Sequence, residues 1–439
     1  MFRSILSSVV AATALITIGG TALAQADPAA AGDGLTVIHA GHLLAIPGHA
    51  PADQQSILIR DGRIEAIQDG FVTPDGAAII DLSNRFVLPG LIDSHVHLQG
   101  ELGPEGRLLE VTENSADLAL NGAHNARTTL MAGFTTVQDV GGDLEASTGL
   151  RDAIRDGDVI GPRMRVSGPA VTPTGGHADV NGFSTAVMDA LTSRSACNGP
   201  ADCRRVVREL IRAGVDVIKI TATGGVLSNT AAGVEQQFFD DELDSIVGAA
   251  HMMGRQVTAH AHGVTGINSF LEAGGDSIEH GTYLDAASIR LFRSHHAYLI
   301  PTLLAGATVA EIAQTADWMT PAVRAKSLSV GPIMLDMARR AHEGGVMIAF
   351  GTDSGVSRHG INAREFPLLV QAGLTPMEAI ETATVNASTH LQMDADIGTI
   401  ETGKYADIIA VDTDPLDDIS ALLDVDFVMQ GGVVYKNED

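Results

Sequence analysis

The middle of the chain alternates eight short apolar runs with longer amphipathic stretches. The apolar runs span residues 91–98, 135–140, 163–168, 216–225, 256–263, 277–283, 297–303 and 346–355. Between them lie stretches with helical spacing of apolar residues, such as 201–214, 240–254 and 263–275. Strands that alternate with helices form a parallel sheet, and eight such strands close into a TIM-type (β/α)8 barrel. An open doubly wound sheet is the competing architecture, but no G-x-G-x-x-G motif follows the first run.

Both ends of the chain have the pattern of β-structure instead. The N-terminal end contains three short runs of strand-forming residues, at 35–44, 56–68 and 77–87. Asp61-Gly62 divides the second run and predicts a hairpin turn. Residues 404–412 and 424–435 have the same character, and the latter contains a Gly-Gly turn. We therefore expect residues 35–90 and 397–439 to build one small β-sandwich from both termini, beside an α/β barrel of residues 91–396.

Residues 1–24 have the pattern of a secretory signal peptide. Arg3 precedes an apolar run from residue 5 to 18, and small residues ending in Ala24 predict cleavage near Ala24-Gln25. An uncleaved membrane anchor is the alternative, although the apolar run is short for a membrane span. We therefore expect a periplasmic or secreted protein that makes no membrane contact after signal cleavage.

The chain is strongly acidic, with 54 Asp and Glu residues against 27 Lys and Arg residues and a formal net charge of −27. This charge repels phosphate backbones and anionic lipid, so we expect neither nucleic acid nor a membrane surface as a partner. An acidic enzyme or a small-molecule binding protein remains, and we expect it to form a homo-oligomer.

The two cysteines, Cys197 and Cys203, flank a polar stretch that favours a turn. In an oxidising compartment, cysteines this close around a turn predict a disulfide that pins a local loop. Half of a metal site is the other interpretation, but the chain has no further cysteine and no histidine lies nearby. We expect the disulfide to be structural.

Ionisable residues stand at the ends of several apolar runs: His95, His97, Lys219, His260, His262, His280 and Asp353. The carboxyl ends of barrel strands meet at one mouth, so we expect these side chains to converge. Alternate residues of a strand share a face, which points His95 and His97 the same way. Each residue alone has an ordinary explanation, such as a core histidine or a helix-capping aspartate. Together, several imidazoles, a lysine and a carboxylate predict a metal site.

The motifs at these positions resemble the amidohydrolase superfamily over essentially the whole mature chain. They are LPGLIDSHVHL, IKITATGG, AHAHG, SIEHG and FGTDSG, with GKYADIIAVDTDPL near the C-terminus. The set is similar to the binuclear branch, which implies two divalent ions, with zinc as the expected metal. By this resemblance, His95 and His97 hold the more buried ion together with Asp353. His260 and His280 hold the more exposed ion, and Lys219, carboxylated by carbon dioxide, bridges both.

The expected chemistry is hydrolysis by a hydroxide that bridges the two ions. Two divalent ions ~3.5–4 Å apart lower the pKa of a water molecule and polarise an amide carbonyl. Asp353 can accept the proton during attack and deliver it to the leaving nitrogen, so Asp353 and Lys219 are the expected catalytic residues. Ser354 has neither an elbow motif nor a dedicated base, so a serine mechanism is not favoured.

Segments 172–179, 197–203 and 219–242 look most like exported prolidase-like or carboxypeptidase-like members, including ochratoxin A-hydrolysing amidohydrolases. The resemblance implies a small-molecule amide, a dipeptide or N-acyl amino acid with a free carboxylate; from ochratoxin A the product would be phenylalanine. The candidates for contacts with the substrate are His177, His262, Tyr283, Arg358 and His359. Loop packing or support of the site is the other interpretation for each of them.

Two further functions stay open. A deaminase or imidazolonepropionase-like hydrolase shares this fold but commonly uses one metal and no bridging lysine, so Lys219 argues against it. A non-enzymatic binding protein on the same scaffold typically loses ligands, whereas this chain keeps all six. The number of metal ions per chain distinguishes the binuclear amidase from the deaminase.

Overall fold

The computed structural model describes residues 34–228 and 233–438, so the signal peptide predicted at residues 1–24 lies outside the described residues. The strands in chain order are β1 Thr36–Leu43, β2 Ala52–Arg60, β3 Arg63–Asp69, β4 Ala78–Pro89, β5 Leu91–Val96, β6 Phe134–Asp139, β7 Arg163–Val166, β8 Thr172–Pro173, β9 Ala196–Cys197, β10 Ile218–Thr221, β11 Val257–Ala261, β12 Ser277–His280, β13 Tyr298–Ile300, β14 Met347–Ile348, β15 Ile408–Val411, β16 Phe427–Gln430 and β17 Val433–Asn437.

The α-helices are α1 Gly106–Thr112, α2 Ser115–Met131, α3 Leu144–Arg155, α4 Thr185–Leu191, α5 Pro200–Arg212, α6 Asp240–Met252, α7 Val264–Glu272, α8 Ala286–His295, α9 Leu303–Thr315, α10 Pro321–Glu343, α11 Glu365–Gln371, α12 Pro376–Glu381 and α13 Ala387–His390. Within residues 34–228 and 233–438, no helix has both the length and the apolar character needed to cross a bilayer.

The two ends of the chain meet in one seven-stranded mixed sheet, in the order β17-β16-β15-β4-β1-β2-β3. Strand β4 joins the two contributions, because it pairs in parallel with β1 and antiparallel with β15. Both predicted hairpins are present: Asp61-Gly62 turns β2 into β3, and Gly431-Gly432 turns β16 into β17. The structure thus records a single sheet built from both termini, and a second layer that would make it a sandwich stays a prediction.

The eight predicted apolar runs all contain strands of the alternating segment. They pair in parallel, in a three-stranded sheet β5-β6-β7 and a five-stranded sheet β10-β11-β12-β13-β14. Helices of the chain lie between successive strands, as the alternation predicts. The predicted α/β class with parallel strands is therefore confirmed.

Backbone hydrogen bonds join these two sheets at both of their edges. On the side of β7, the amide of Val171 donates to the carbonyl of Lys219 in β10 at 2.8 Å. On the side of β5, the amide of Asp353, which follows β14, donates to the carbonyl of His95 at 2.8 Å. The first and last strands of the segment are therefore neighbours, although they lie far apart in the chain.

The disulfide between Cys197 and Cys203 fastens a small ribbon to a helix. Cys197 ends β9, which pairs with β8, and Cys203 lies in the first turn of α5. Both side chains are fully buried, with their Cα atoms 4.9 Å apart. Beside the bridge, the amide of Gly199 donates to the carboxylate of Glu242 at 2.6 Å. The chain leaves β8 directly into the loop that carries His177, so the ribbon anchors that loop.

Replacing both cysteines by serine should lower the free energy of unfolding by about 2 kcal/mol, because the unfolded chain then regains the freedom of a short closed loop. The loss would be measured by chemical denaturation of the oxidised wild type and the double variant. Turnover per folded molecule should stay the same. A fall in turnover at unchanged metal content would contradict a purely structural role.

Candidate metal centre

The first group of candidate ligands is formed by β5 and the segment after β14. His95 and His97 reach the same place from one strand, and their Nε2 atoms are 3.2 Å apart. The Oδ1 atom of Asp353 lies 3.3 Å from Nε2 of His95 and 3.2 Å from Nε2 of His97. The predicted convergence of these three residues is therefore present.

The spacing of these three atoms fits a divalent cation. A point equidistant from three atoms at such separations lies ~1.9 Å from each, close to the ~2.0–2.1 Å of zinc–nitrogen bonds. Nδ1 of His97 lies 3.2 Å from the carbonyl oxygen of Gly141, which can only accept a hydrogen bond, so Nδ1 carries the proton. In the neutral ring, the lone pair of Nε2 faces the carboxylate of Asp353, an arrangement that a cation between them stabilises.

The second group consists of His260, His262 and His280, whose ligand atoms lie within 4.8 Å of one another. The hydroxyl of Thr302 donates to the carbonyl of Pro301 at 2.8 Å and contacts Nδ1 of His280 at 2.7 Å. Because its proton is already used, the hydroxyl accepts from Nδ1–H of His280 and leaves Nε2 free to bind a cation. Sequence analysis assigned His262 to substrate contacts, whereas the structure places it in the same group as two predicted ligands.

Lys219 lies in β10 and lines the same cavity as the two groups, and only 4% of its side chain is exposed. Its Nζ atom contacts Oε2 of Glu279, a carboxylate in β12 that is wholly shielded from solvent. Burial lowers the pKa of Lys219 to about 7. The amine is therefore easily obtained in its neutral, nucleophilic form near neutral pH.

Burial favours the neutral form of most imidazoles at the site. His97 differs, because its contacts with Asp353 outweigh burial and raise its pKa above the ordinary value. Burial and then the charge of Lys219 lower the pKa of His95 to about 3. Burial, followed by neighbouring histidines, also holds the pKa values of His260 and His280 well below the ordinary value. Although burial raises the pKa of Asp353, the nearby rings of His95 and His97 hold it well below its usual range. Neutral nitrogens and an ionised carboxylate are the protonation states that metal binding requires.

Three residues at the site adopt left-handed backbone conformations that residues other than glycine rarely take. The φ angles are +69° at His280, +49° at Thr302 and +57° at Asp353. Each such residue costs roughly 1–3 kcal/mol, and such residues cluster at functional sites. The conformation also breaks the alternation of β12, so that the neighbours Glu279 and His280 both reach the site.

The candidate ligands lie at the base of a cavity of about 1170 Å³. One wall is apolar and comes from the loop after β10 and from α9 and α10: Val226, Leu227, Ala305, Gly306, Val309, Val330 and Met334. The polar residues of the lining include Gln99, Glu101, Arg107, Glu110, Glu113, Asn121, His124, Asn125, Asp143, Asp179 and Asn181. The cavity therefore offers both apolar and polar surface together with the ionisable candidate ligands.

Two of the five residues predicted to contact substrate line this cavity. The ring of His177 packs 4.2 Å from the ring of His260, and its Nδ1 contacts the hydroxyl of Ser228. Burial and the charge of Lys219 lower the pKa of His177 to about 4. His262 lines the cavity beside it, with Nδ1 2.7 Å from the hydroxyl of Thr282. Both imidazoles are thus placed to contact a bound molecule.

The other three predicted contacts lie outside the cavity lining. Tyr283 is 39% exposed and Arg358 is exposed, and neither side chain borders the space above the ligands. His359 is buried, and its backbone amide donates to Glu101 at 2.8 Å. Proximity in sequence to site residues is a weak guide here, because the chain turns away after the strand ends.

Sequence analysis missed four side chains that the structure places at or beside the site: Arg107, Ser228, Glu279 and Thr302. Glu279 offered the clearest signal, since an acidic residue stands inside the apolar run SIEH, next to a predicted ligand. Thr302 follows a strand end at a Pro-Thr pair, but its left-handed backbone has no sequence signal. Arg107 and Ser228 lie in connecting segments whose path depends on tertiary packing.

Comparisons with known proteins agree with this architecture. The model of the amidohydrolase family matches residues 86–435. The ochratoxinase of Aspergillus niger is 32% identical over 432 residues, which cover 92% of this chain and 87% of that protein.

Solved structures give the same result. A Xaa-Pro dipeptidase with methionine bound in its active site aligns with a TM-score of 0.87 at 39% identity. A prolidase complexed with N-methylphosphonate-L-proline aligns with a TM-score of 0.83 at 30% identity. Both alignments cover 92% of this chain and 100% of the other. The chain therefore shares a TIM-like α/β fold with mixed sheets.

Thr302→Val should weaken zinc binding about 10–100-fold, because the hydroxyl that fixes the tautomer and orientation of His280 is lost at constant shape. Affinity would be measured by competition with a chromogenic chelator. Thr302→Ser keeps the hydroxyl and should restore most of the affinity. Equal affinities for the wild type and the valine variant would show that Thr302 does not support a ligand.

Proposed function

The chain belongs to the amidohydrolase family, and we propose that it hydrolyses dipeptides or N-acyl amino acids that carry a free carboxylate next to the scissile amide. It is a hydrolase of amide or peptide bonds, and the finer assignment is prolidase-like or carboxypeptidase-like, with ochratoxin A as a candidate substrate. The observation that carries the proposal is the convergence of the predicted ligands at the base of one large cavity. A small-molecule amide is the proposed partner.

The donor set suits a pair of divalent ions, and zinc is the proposed metal. His95, His97 and Asp353 would hold one ion, and His260 and His280 the other. Lys219, carboxylated by carbon dioxide, would supply an oxygen to each. When bound, the two ions supply an acidified water molecule and polarise the amide carbonyl.

The chain's own residues then handle protons and orientation. Asp353 is ionised, as the low pKa described above requires, and its Oδ1 atom lies at the base of the cavity. It can accept a proton from the attacking water and pass it to the leaving nitrogen. His177 and His262 stand beside His260 in the cavity and are the proposed contacts with the substrate carbonyl or carboxylate.

The cavity walls support an orientation for the substrate. Besides Lys219 at the base, Arg107 in α1 is the one lysine or arginine among the described cavity-lining residues. Its guanidinium stacks on the ring of Phe183 at 4.2 Å and donates to the backbone of Asn181 at 3.3 Å. In a strongly acidic protein, a local cation is needed to orient an anionic group. We assign the substrate carboxylate to Arg107 and the acyl group to the apolar wall of α9 and α10.

We also propose the finer architecture and the location of the protein. The hydrogen bonds at both junctions of the parallel sheets support a closed eight-stranded barrel over residues 91–396. The sheet of residues 35–90 and 397–439 would form a small sandwich beside it. A disulfide is stable in an oxidising compartment, so the bridge between Cys197 and Cys203 supports export to the periplasm or the medium.

The proposal of a binuclear centre is tested by Lys219→Ala. Wild-type protein should bind two zinc ions per chain, measured by elemental analysis, whereas a mononuclear deaminase would bind one. Without the bridging carbamate, the variant should keep its fold but lose at least one ion and nearly all amidase activity. Added bicarbonate should speed the reconstitution of metal-free wild type. A variant with two tightly bound ions and near-normal turnover would contradict the bridging role.

The proposed carboxylate contact is tested with paired substrates. X-Pro dipeptides, N-acyl amino acids and ochratoxin A would be assayed with zinc as free acids and as amides. The free acid of a good substrate should exceed its amide about a hundredfold or more in kcat/KM. Arg107→Met should reduce the ratio of kcat/KM for the acid to kcat/KM for the amide about tenfold, because a charge-assisted hydrogen bond is lost.

Arg204→Met is the matched control, since Arg204 lies on α5 outside the cavity and its loss should leave the ratio unchanged. Equal rates for acid and amide in the wild type would contradict the need for a carboxylate. A ratio that Arg107→Met leaves unaltered would assign the carboxylate to another residue.

A further inference from the structure

Glu279 is a carboxylate beside the candidate ligands for which the proposed mechanism has no role. It lies in β12, one residue before His280, and its side chain has no exposed surface. Its Oε1 atom accepts a hydrogen bond from the hydroxyl of Thr258 at 3.0 Å. That hydroxyl in turn accepts from Ser277 at 2.8 Å, so the orientation of the Thr258 proton toward Glu279 is fixed. The Oε1 atom of Glu279 therefore has a hydrogen-bond donor.

The other oxygen, Oε2, lies between two candidate ligands. It contacts Nζ of Lys219, and it lies 3.6 Å from Nδ1 of His95. The Oε2 atom is buried without a hydrogen bond of ordinary geometry, and so is Nδ1 of His95. The Nε2 atom of His95 faces Asp353, so Nδ1 is the free end of the ring. Two buried groups that each lack a hydrogen bond therefore face one another.

A buried carboxylate needs a compensating charge or hydrogen bond, because burial removes the water that would otherwise solvate it. While Lys219 is an ammonium, it supplies that compensation. Carboxylation changes this, because a bond forms between Nζ and the carbon of carbon dioxide and two protons leave the ammonium for bulk water. The product is an anion and no longer neutralises Glu279. Nδ1–H of His95 is then the nearest remaining donor in the described contacts.

We propose that Glu279 is a positioning residue that changes partner as the metal centre assembles. It holds the ammonium of Lys219 in the metal-free protein, and it accepts a hydrogen bond from Nδ1–H of His95 once Lys219 is carboxylated. The second contact fixes the tautomer of His95 and turns its Nε2 atom toward the ion. A carboxylate behind a ligating histidine is a general means of raising metal affinity.

The change of partner requires a small movement. Closing the distance from 3.6 Å to a hydrogen bond takes ~0.7 Å, which a rotation of the carboxylate provides. Thr258 can remain bound to Oε1 during this rotation, so Glu279 keeps its anchor on β11. This inference rests on the proposed function, because only a carboxylated lysine releases Glu279.

The experiment compares wild type, Glu279→Gln and Glu242→Gln. Glu242 is a buried carboxylate that binds the amides of Gly199 and Phe239 outside the cavity, so its variant reports the general cost of losing such a charge. Zinc affinity would be measured by chelator competition, and carboxylation by the 13C NMR signal after addition of labelled bicarbonate. Glu279→Gln should weaken one of the two zinc sites about 10–100-fold. Glu242→Gln should lower thermal stability and leave zinc affinity and the carbamate signal unchanged.

A second measurement does not depend on any variant. In zinc-loaded wild type, 15N-edited NMR of the histidine rings should show a proton on Nδ1 of His95. Its absence would overturn the inference even if Glu279→Gln failed to fold. Wild type without a zinc pair or a carbamate signal would overturn the proposed function and this inference together. Wild type that shows both, with a Glu279→Gln variant of unchanged zinc affinity, would overturn the inference alone.

Discussion

The backbone pairing between the first and last strands of the alternating segment is the contact on which the candidate site depends. The amide of Asp353 donates to His95, and the amide of His97 donates to Ser354. These bonds place side chains from opposite ends of the segment within 3.3 Å of one another. The remaining ligands then follow in order, because each neighbouring strand contributes its own carboxyl end to the same mouth.

The candidate site also depends on the exclusion of water from its ligands. Burial keeps His95, His260 and His280 neutral and makes the proton on Lys219 easy to remove. The hydroxyl of Thr302 and the carbonyl of Gly141 then decide which nitrogen of His280 and His97 carries a proton. The protein therefore fixes the tautomer of these two donors before any cation arrives, and the larger change left for assembly is the one proposed at Lys219 and Glu279.

Much of this arrangement could be predicted from the sequence, since periodicity and strand ends are local properties. The eight parallel strands, both terminal hairpins and the positions of His95, His97 and Asp353 followed from such patterns. The role of Glu279 could not be predicted, because strict alternation puts it on the face opposite His280 and only the left-handed backbone brings both inward. Tyr283 and Arg358 follow site motifs closely in the sequence, but that proximity does not determine where a connecting segment turns.

The sheet built from both termini has a consequence for the order in which the molecule folds. Strand β4 pairs with β15, so residues near the two ends of the chain must find each other before this sheet is complete. Contacts of such sequence separation form slowly. Only Gly90 separates β4 from β5, and a side chain there would collide with Thr135 of β6. The start of β5 pairs with β6 from within the alternating segment, whereas β4, which leads into it, gains its second neighbour only when β15 has docked. A chain that stopped before β15 would contain every candidate ligand, but the strand that leads into the first of them would have one neighbour instead of two.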